Sequence, residues 1–277
     1  MTKRTFLVTG AGRGLGLAFT EAALAAGHQV VGTVRREEDR AVFEALAPGR
    51  AHAFILDVAD HAKVPEVVAA IEAEVGDIDV LINNAGYGHE GVLEESPLDA
   101  LIRQFDVNVF GTIALIKAVL PGMRMRRRGH IINLSSFAGH VPLPGIAYYT
   151  ASKYSIEAIS AVLAQEVRGF GVRVTSLAPG SFRTDWAGSS LVRSERSISD
   201  YDALFEPIRQ ARRAKSGRQA GDPAKAAQAM LAIVEAEDPP VHLVLGKDAL
   251  RQVRDHSRKL LAELDAWETL SLSTEFE

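Results

Sequence analysis

The sequence predicts an α/β protein built on a doubly wound, parallel sheet of about seven strands, in three layers. Two observations carry that prediction. Short β-branched runs alternate with longer helical stretches along the chain, and most of the runs are apolar throughout instead of at every second position. Strands read this way when crossover helices bury both faces of their sheet.

The runs are Thr5–Thr9, Gln29–Val34, Ala51–Leu56, Val80–Asn83, His130–Leu134, Val172–Leu177 and Val241–Leu245. Helical periodicity marks Leu15–Ala26, Glu37–Leu46, Ala62–Val75, Leu98–Arg127, Ser152–Val167 and Pro223–Glu235. No repeat, low-complexity tract or linker divides the chain, so 1–277 reads as a single domain. Two segments fall outside the alternation. Residues 187–221 are polar and rich in Ser and Arg, and are expected to cover a ligand crevice as an insert. Residues 247–277 form a C-terminal extension with a helical stripe of Leu250, Val253, Leu260, Leu261 and Leu264.

Composition narrows the function classes. The 277 residues, 47% hydrophobic and 24% charged, match an ordinary globular chain with room for a large core. A net charge of −4 argues against nucleic-acid binding through phosphate neutralisation. No apolar run is read as reaching the length of a bilayer span, and no export signal is read at Met1–Arg4, so a cytoplasmic protein is expected. Without cysteine there is no thiolate nucleophile or thiolate metal site, and the eight histidines lack metal-ligand spacing, so no metal is expected. Arg124 to Arg128 read as a helix C-terminus complementing its dipole.

The first turn is Thr9-Gly10-Ala11-Gly12-Arg13-Gly14-Leu15-Gly16, between a strand and a helix. Glycines here remove Cβ atoms, so that backbone N–H groups and the helix N-terminus approach a pyrophosphate. A dinucleotide is therefore expected. At the end of the second strand stand Arg35 and Arg36, where a carboxylate would suit a ribose 2′-hydroxyl. Arginine suits a 2′-phosphate, with Arg13 as a second cation, so NADP is expected in preference to NAD. Asp57-Val58 after the third strand would meet the adenine, or cap a helix. Asn83-Asn84-Ala85-Gly86 fits a chain reversal beside a ligand. Pro179-Gly180-Ser181-Phe182-Arg183-Thr184, after the sixth strand, would bring the Phe182 backbone and the Thr184 hydroxyl to the cofactor's carboxamide.

The chemistry is expected around Tyr149 and Lys153, four apart and so on one face of a helix, whereas Tyr148 points elsewhere. An ammonium beside a phenol favours the phenolate and lowers its pKa from about 10. Ser136, thirteen residues upstream, offers a hydroxyl to a substrate carbonyl. Asn108 is an amide inside an apolar helix, a position where asparagine needs a buried partner; it either stabilises the neighbouring turn or holds a water in a proton path. Val141, Leu143, Ile146, Phe182 and Trp186 suggest an apolar pocket, which His89 and His140 would help to line. Arg183, Arg193 and Arg196 either recognise an anion or are solvated.

In their order and spacing, Thr9–Gly16, Asp57, Asn83–Gly86, Asn108, Ser136, Tyr149/Lys153 and Pro179–Thr184 resemble the short-chain dehydrogenase/reductase family. That resemblance implies a Rossmann-type domain binding NAD(P), with a catalytic tetrad falling on Asn108, Ser136, Tyr149 and Lys153. Phe182 departs from the Ile or Val more frequent at that place. It implies hydride transfer between NADP(H) and a carbonyl or alcohol: Ser136 polarises the oxygen, Tyr149 exchanges the proton, Lys153 supports Tyr149 and donates to the nicotinamide ribose, and Asn108 holds a water. A homodimer or homotetramer through the helices Leu98–Arg127 and Ser152–Val167 is implied too. The alternatives are a cofactor-retaining epimerase or dehydratase, whose relatives carry more than the roughly 90 residues that follow Thr184, and a non-enzymatic dinucleotide-sensing regulator.

Overall fold

Side chains in the predicted runs are shared between two cores, which is why most of the runs are apolar throughout. In β1 (Thr5–Val8), Phe6 and Val8 enter one core and Leu7 the other. Such an alternation follows from the two-residue period of a strand. The structure, a computed structural model, describes residues 2–188 and 190–276. Of the predicted segments, Met1 and Glu277 at the chain ends and Ser189 in the insert lie outside the described residues.

After β1 come α1 (Gly14–Ala25), β2 (Gln29–Val34), α2 (Glu37–Glu44), β3 (Ala51–Ile55), α3 (Val64–Glu74) and β4 (Val80–Asn83). Next are β5 (Gly88–Glu90), α4 (Leu98–Phe105), a π-turn (Asp106–Phe110), α5 (Gly111–Arg126) and β6 (Gly129–Leu134). The chain continues through α6 (Ala147–Val167), β7 (Val172–Pro179), β8 (Leu191–Arg193) and α7 (Asp202–Ala214). It ends with α8 (Pro223–Glu235), β9 (His242–Leu245), α9 (Lys247–Ala266) and α10 (Glu268–Leu272).

Seven strands form one parallel sheet in the order β3-β2-β1-β4-β6-β7-β9. Strand order therefore reverses at β1, which pairs with β2 on one side and β4 on the other. A crevice opens outside the carboxyl ends of strands at such a point, and ligands of open α/β sheets bind there.

On one face, Phe19 and Leu24 of α1 and Met230 and Val234 of α8 pack on Phe6, Val30, Ile82 and Ile132. On the other, α3, α5 and α6 contribute Val68, Ile71, Leu115, Val119 and Leu163 against Leu7, Val31, Leu81 and Ile131. Each such side chain contributes roughly 1.5–3 kcal/mol by leaving water. Contrary to the sequence reading, Leu98–Arg126 passes the length and hydropathy test for a membrane span. Its Leu115, Ile116, Val119 and Met123 lie in the core beneath the sheet.

Three boundaries differ from expectation. The single helix predicted over Leu98–Arg127 is broken by the π-turn, which carries Asn108 inward to 1% exposure. The helix predicted from Ser152 starts at Ala147, because its first residues are buried and polar and show no amphipathic period. The polar insert is not irregular: β8 pairs in parallel with β5, and α7 follows, anchored by buried Phe205. Strands of three residues have no readable period. The basic stretch does end α5, with Arg127 left-handed at φ 55°, Arg126 paired to Glu72 and Asp77, and Arg128 paired to Asp79.

Candidate active site

The glycine turn lies over the reversal point of the sheet. Gly10, at φ +62°, donates its N–H to the Thr33 hydroxyl at 3.2 Å, and a Cβ on it would come 3.2 Å from Ala85 Cα. Asn84 clamps this turn: its Nδ2 donates to the carbonyls of Thr9 and Gly10 at 2.9 and 3.2 Å. Gly14, at φ +58°, faces Thr184, a hypothetical Cβ lying 3.7 Å from that threonine's Cβ. The turn after β1 and the turn after β7 thus meet. Gly180 N–H donates to Leu245 O at 2.8 Å, tying Pro179-Gly180 to the end of β9.

The glycine turn is tightly packed at one end and open at the other. A Cβ on Gly16 would meet the Gly10 carbonyl oxygen and stand 2.5 Å from Asn84 Nδ2, whereas one on Gly12 would meet nothing within 4 Å. Gly16→Ala is therefore expected to cost roughly 1–3 kcal/mol of stability, and Gly12→Ala no more than about 0.5. Thermal unfolding of the two variants side by side checks this; equal midpoints would contradict the clamped geometry.

Around the predicted adenosine end, Arg35 is exposed at the tip of β2. Arg36 is held by Asp39, with Nε and Nη2 donating at 2.9 and 2.7 Å, and by Glu38 at 3.1 Å. Glu37 pairs with Arg40. All three acids of the first turn of α2 are therefore engaged by arginine. Asp57 is exposed and accepts the Ala59 N–H at 3.0 Å, and Val58 is buried beside it, near Gly111.

Tyr149 and Lys153 occupy the first two turns of α6, started by the left-handed Gly145. Both are buried, at 7% and 6% exposure, and Lys153 Nζ lies 5.7 Å from the Tyr149 ring centre. Ser136, after β6, accepts the Ala138 N–H at 3.1 Å and presents its hydroxyl to the Tyr149 phenol, whose ionisation it favours. Lys153 Nζ donates to Leu134 O at 2.6 Å. Gly86 fills the gap between Asn108 and Lys153: a Cβ there would lie 3.1 Å from Asn108 Oδ1 and 3.8 Å from Nζ. Asn108 accepts the Tyr87 N–H at 3.1 Å and donates to Tyr87 O at 3.0 Å and Ser152 Oγ at 3.2 Å. Its amide thus holds the turn after β4. Tyr148 turns away, donating to Ser96 O at 2.7 Å and stacking on His89.

The electrostatics differ from the expectation of a phenol acidified by its neighbouring ammonium. Burial pushes Tyr149 up to about 12, opposed by the Ser136 hydroxyl. Burial likewise draws Lys153 down to about 8, with the charge of Glu157 acting the other way. At neutral pH the phenol keeps its proton and the lysine is mainly an ammonium. Burial sets the direction of both shifts, because each group sits in a poorly solvated interior.

Trp186 covers Tyr149, ring centres 5.1 Å apart, and with Leu143 packs on Ala138, Ile146 and Tyr149. Phe182 instead bridges to Gly221 and packs towards the α1/α8 core. Arg193 and Arg196 are neither solvated nor left to meet an anion alone. Glu90, 1% exposed, is bound by Arg193 at 3.0 Å and Arg212 at 2.5 Å, and Arg196 binds Glu95, Asp202 and Glu206. Arg183 Nε donates to Gln219 O at 3.2 Å. These pairs fasten β8 and α7 over β5, and nothing in the spacing of Glu90 and Arg212, 122 residues apart, announces them.

A profile described as short chain dehydrogenase matches residues 4–193. The chain belongs to the short-chain dehydrogenase family. This short-chain dehydrogenase is 37% identical over 276 residues to the oxidoreductase BOA17 of Botryotinia fuckeliana, covering 99% of this chain and all of that one. It is 34% identical over 247 residues to a 3-ketodihydrosphingosine reductase of Bacteroides thetaiotaomicron, covering 89% of each. A solved short-chain dehydrogenase from Streptomyces avermitilis superposes with a TM-score of 0.92 at 40% identity, over 99% of this chain and all of that one. The seven-stranded sheet and its flanking helices are those of this Rossmann-type family.

Proposed function

We propose that this short-chain dehydrogenase reduces an apolar ketone or aldehyde with NADPH, and oxidises the alcohol by the same path reversed. The observation that carries the reading is the buried Tyr149, with the Ser136 hydroxyl facing its phenol and Lys153 beneath its ring. A nicotinamide, when bound, would supply the hydride, and the chain supplies orientation and electrostatics. In the proposed reduction Ser136 donates to the carbonyl oxygen and Tyr149 gives it a proton. A phenol held protonated at neutral pH suits the acid role. The Lys153 ammonium offsets the phenolate that Tyr149 becomes and binds the nicotinamide ribose. Asn108 keeps Tyr87 and Ser152 in register behind them.

Leu143, Ile146 and Trp186 beside Tyr149 support an apolar substrate, and the keto compound in the name of the Bacteroides relative supports a ketone. Arg35, with Arg13 at the start of α1, is assigned to the 2′-phosphate, because the neighbouring carboxylates are already engaged by arginine. The proposed assembly is a cytoplasmic homo-oligomer joined through α5 and α6. An apolar groove between those helices, lined by Ile113, Ile116, Ile159 and Val162, supports that joint.

A panel of ketones and aldehydes run with NADPH and NADH in parallel tests the reading. Turnover of apolar members with NADPH is expected, and Arg35→Glu should weaken NADPH preference roughly 10–100-fold, the worth of a hydrogen bond to a charged group. Consumption of neither cofactor by any member would sink the reductase assignment, and a native preference for NADH would sink the role of Arg35.

A further inference from the structure

One turn beyond Lys153 on α6, Glu157 is 7% exposed and takes no part in the proposed reduction. Two histidines from distant parts of the chain meet its carboxylate. His140 follows the 3₁₀ turn after β6, and His242 opens the edge strand β9. His140 Nε2 stands 3.1 Å from Glu157 Oε1, and His242 Nδ1 stands 2.7 Å from Oε2. The candidate ligand atoms of all three lie within 4.8 Å of one another, and the two rings are nearly perpendicular at 78°.

One of these contacts is not explained by hydrogen bonding. His140 Nε2 and Glu157 Oε1 are both buried, and among the described residues neither has a hydrogen-bond partner. Buried polar atoms left in that state cost stability unless something else ligates them. Two ligands about 2.1 Å from one tetrahedral ion lie about 3.4 Å apart. The 3.1 Å gap therefore needs to open by only a few tenths of an ångström.

We propose that His140, Glu157 and His242 form a binding site for a divalent transition-metal ion of the zinc type. Two imidazoles and one carboxylate make an N₂O set that suits Zn²⁺ and leaves a fourth position open. His242, whose side chain is 44% exposed, places that position at the surface and gives the ion its way in. The Ser135 hydroxyl, which donates to Lys153 O at 3.3 Å, stands beside the carboxylate, where outer partners of metal ligands sit. The site lies on the β9 side of α6, a helical turn away from Lys153. No His-x-x-His spacing announces it, because its ligands come from a loop, a helix and an edge strand.

The full-length protein, stripped with a chelator and dialysed, is titrated with ZnCl₂ by calorimetry, with metal analysis after equilibrium dialysis. One equivalent per chain is expected, together with a rise in the unfolding temperature on adding the ion. His242→Ala, at the more exposed ligand, should remain folded by circular dichroism while losing at least 10-fold in affinity and most of the thermal shift. His140→Ala should do the same, and each substitution should also alter the ligand-field absorption bands of the Co²⁺-loaded protein. Absence of saturable binding by the unmodified chain would overturn the proposal. So would affinity and stoichiometry unchanged in both histidine variants, since the ion would then be bound elsewhere.

Discussion

Tyr149→Phe is expected to lower kcat by roughly 10²–10⁴-fold, the range that a positioned general acid supplies. The change removes one hydroxyl and leaves the ring, so the contacts with Trp186 and with Lys153 Nζ persist. Unfolding temperature and NADPH affinity should therefore move little. The measurement is steady-state turnover beside a direct binding titration of the cofactor. Loss of both together would indicate a collapsed site, and unchanged turnover would remove Tyr149 from the chemistry.

Replacing Lys153 by methionine has two consequences of opposite sign. Turnover should fall by roughly 10²-fold or more, because the phenolate form of Tyr149 loses its compensating charge. Stability should respond in the other direction, and only over part of the pH range. In the folded chain burial draws Lys153 down to about 8, against 10.5 for a free lysine. Below about pH 8 the lysine is protonated in both folded and unfolded chains, and the whole cost of burying the cation is present. Between about 8 and 10.5 the unfolded chain holds a proton that the folded chain has released, so native stability rises with pH. Across that window the unmodified protein should gain on the variant by up to about 1.4 kcal/mol per pH unit. Paired chemical denaturation at pH 7 and at pH 9.5 reads this difference directly. A stability difference that stays flat between the two would show that Lys153 is not a buried cation.

How much of this was legible before the structure depends on whether each signal is local. The glycine turn, the Tyr149/Lys153 pair and the strand ends at Asn83 and Leu134 are short-range patterns, and each lies within a few residues of where the sequence puts it. The two-core sheet was equally readable, because burial on both faces leaves an unbroken apolar run. The start of α6 was not. Tyr148, Tyr149, Ser152 and Lys153 carry polar groups but are buried, and hydropathy has no means of marking a buried polar face. The π-turn escaped for a related reason: one extra residue in a turn leaves composition unchanged while moving Asn108 inward. Long-range ion pairs were beyond reach as well. Glu90 draws its partners from Arg193 and Arg212, both more than 100 residues away, and only the packing of β8 and α7 against β5 brings them together.

The sign of the Tyr149 shift holds a separate lesson. Adjacency to Lys153 predicts a more acidic phenol, yet full enclosure makes it less acidic. Adjacency is written in the sequence, whereas enclosure is a property of the folded crevice. Within such an interior the Ser136 hydroxyl is the group that pulls the phenol back towards ionisation.

Trp186 lies 5.1 Å from Tyr149 and is partly buried, while the chain's other tryptophan, Trp267, stands 62% exposed at the turn between α9 and α10. The protein thus carries two indoles in contrasting solvents. One faces water, away from the crevice; the other sits against the ring proposed to exchange the proton. Intrinsic fluorescence is therefore a label-free optical gauge of whatever settles over Tyr149, with its own reference signal built into the same chain.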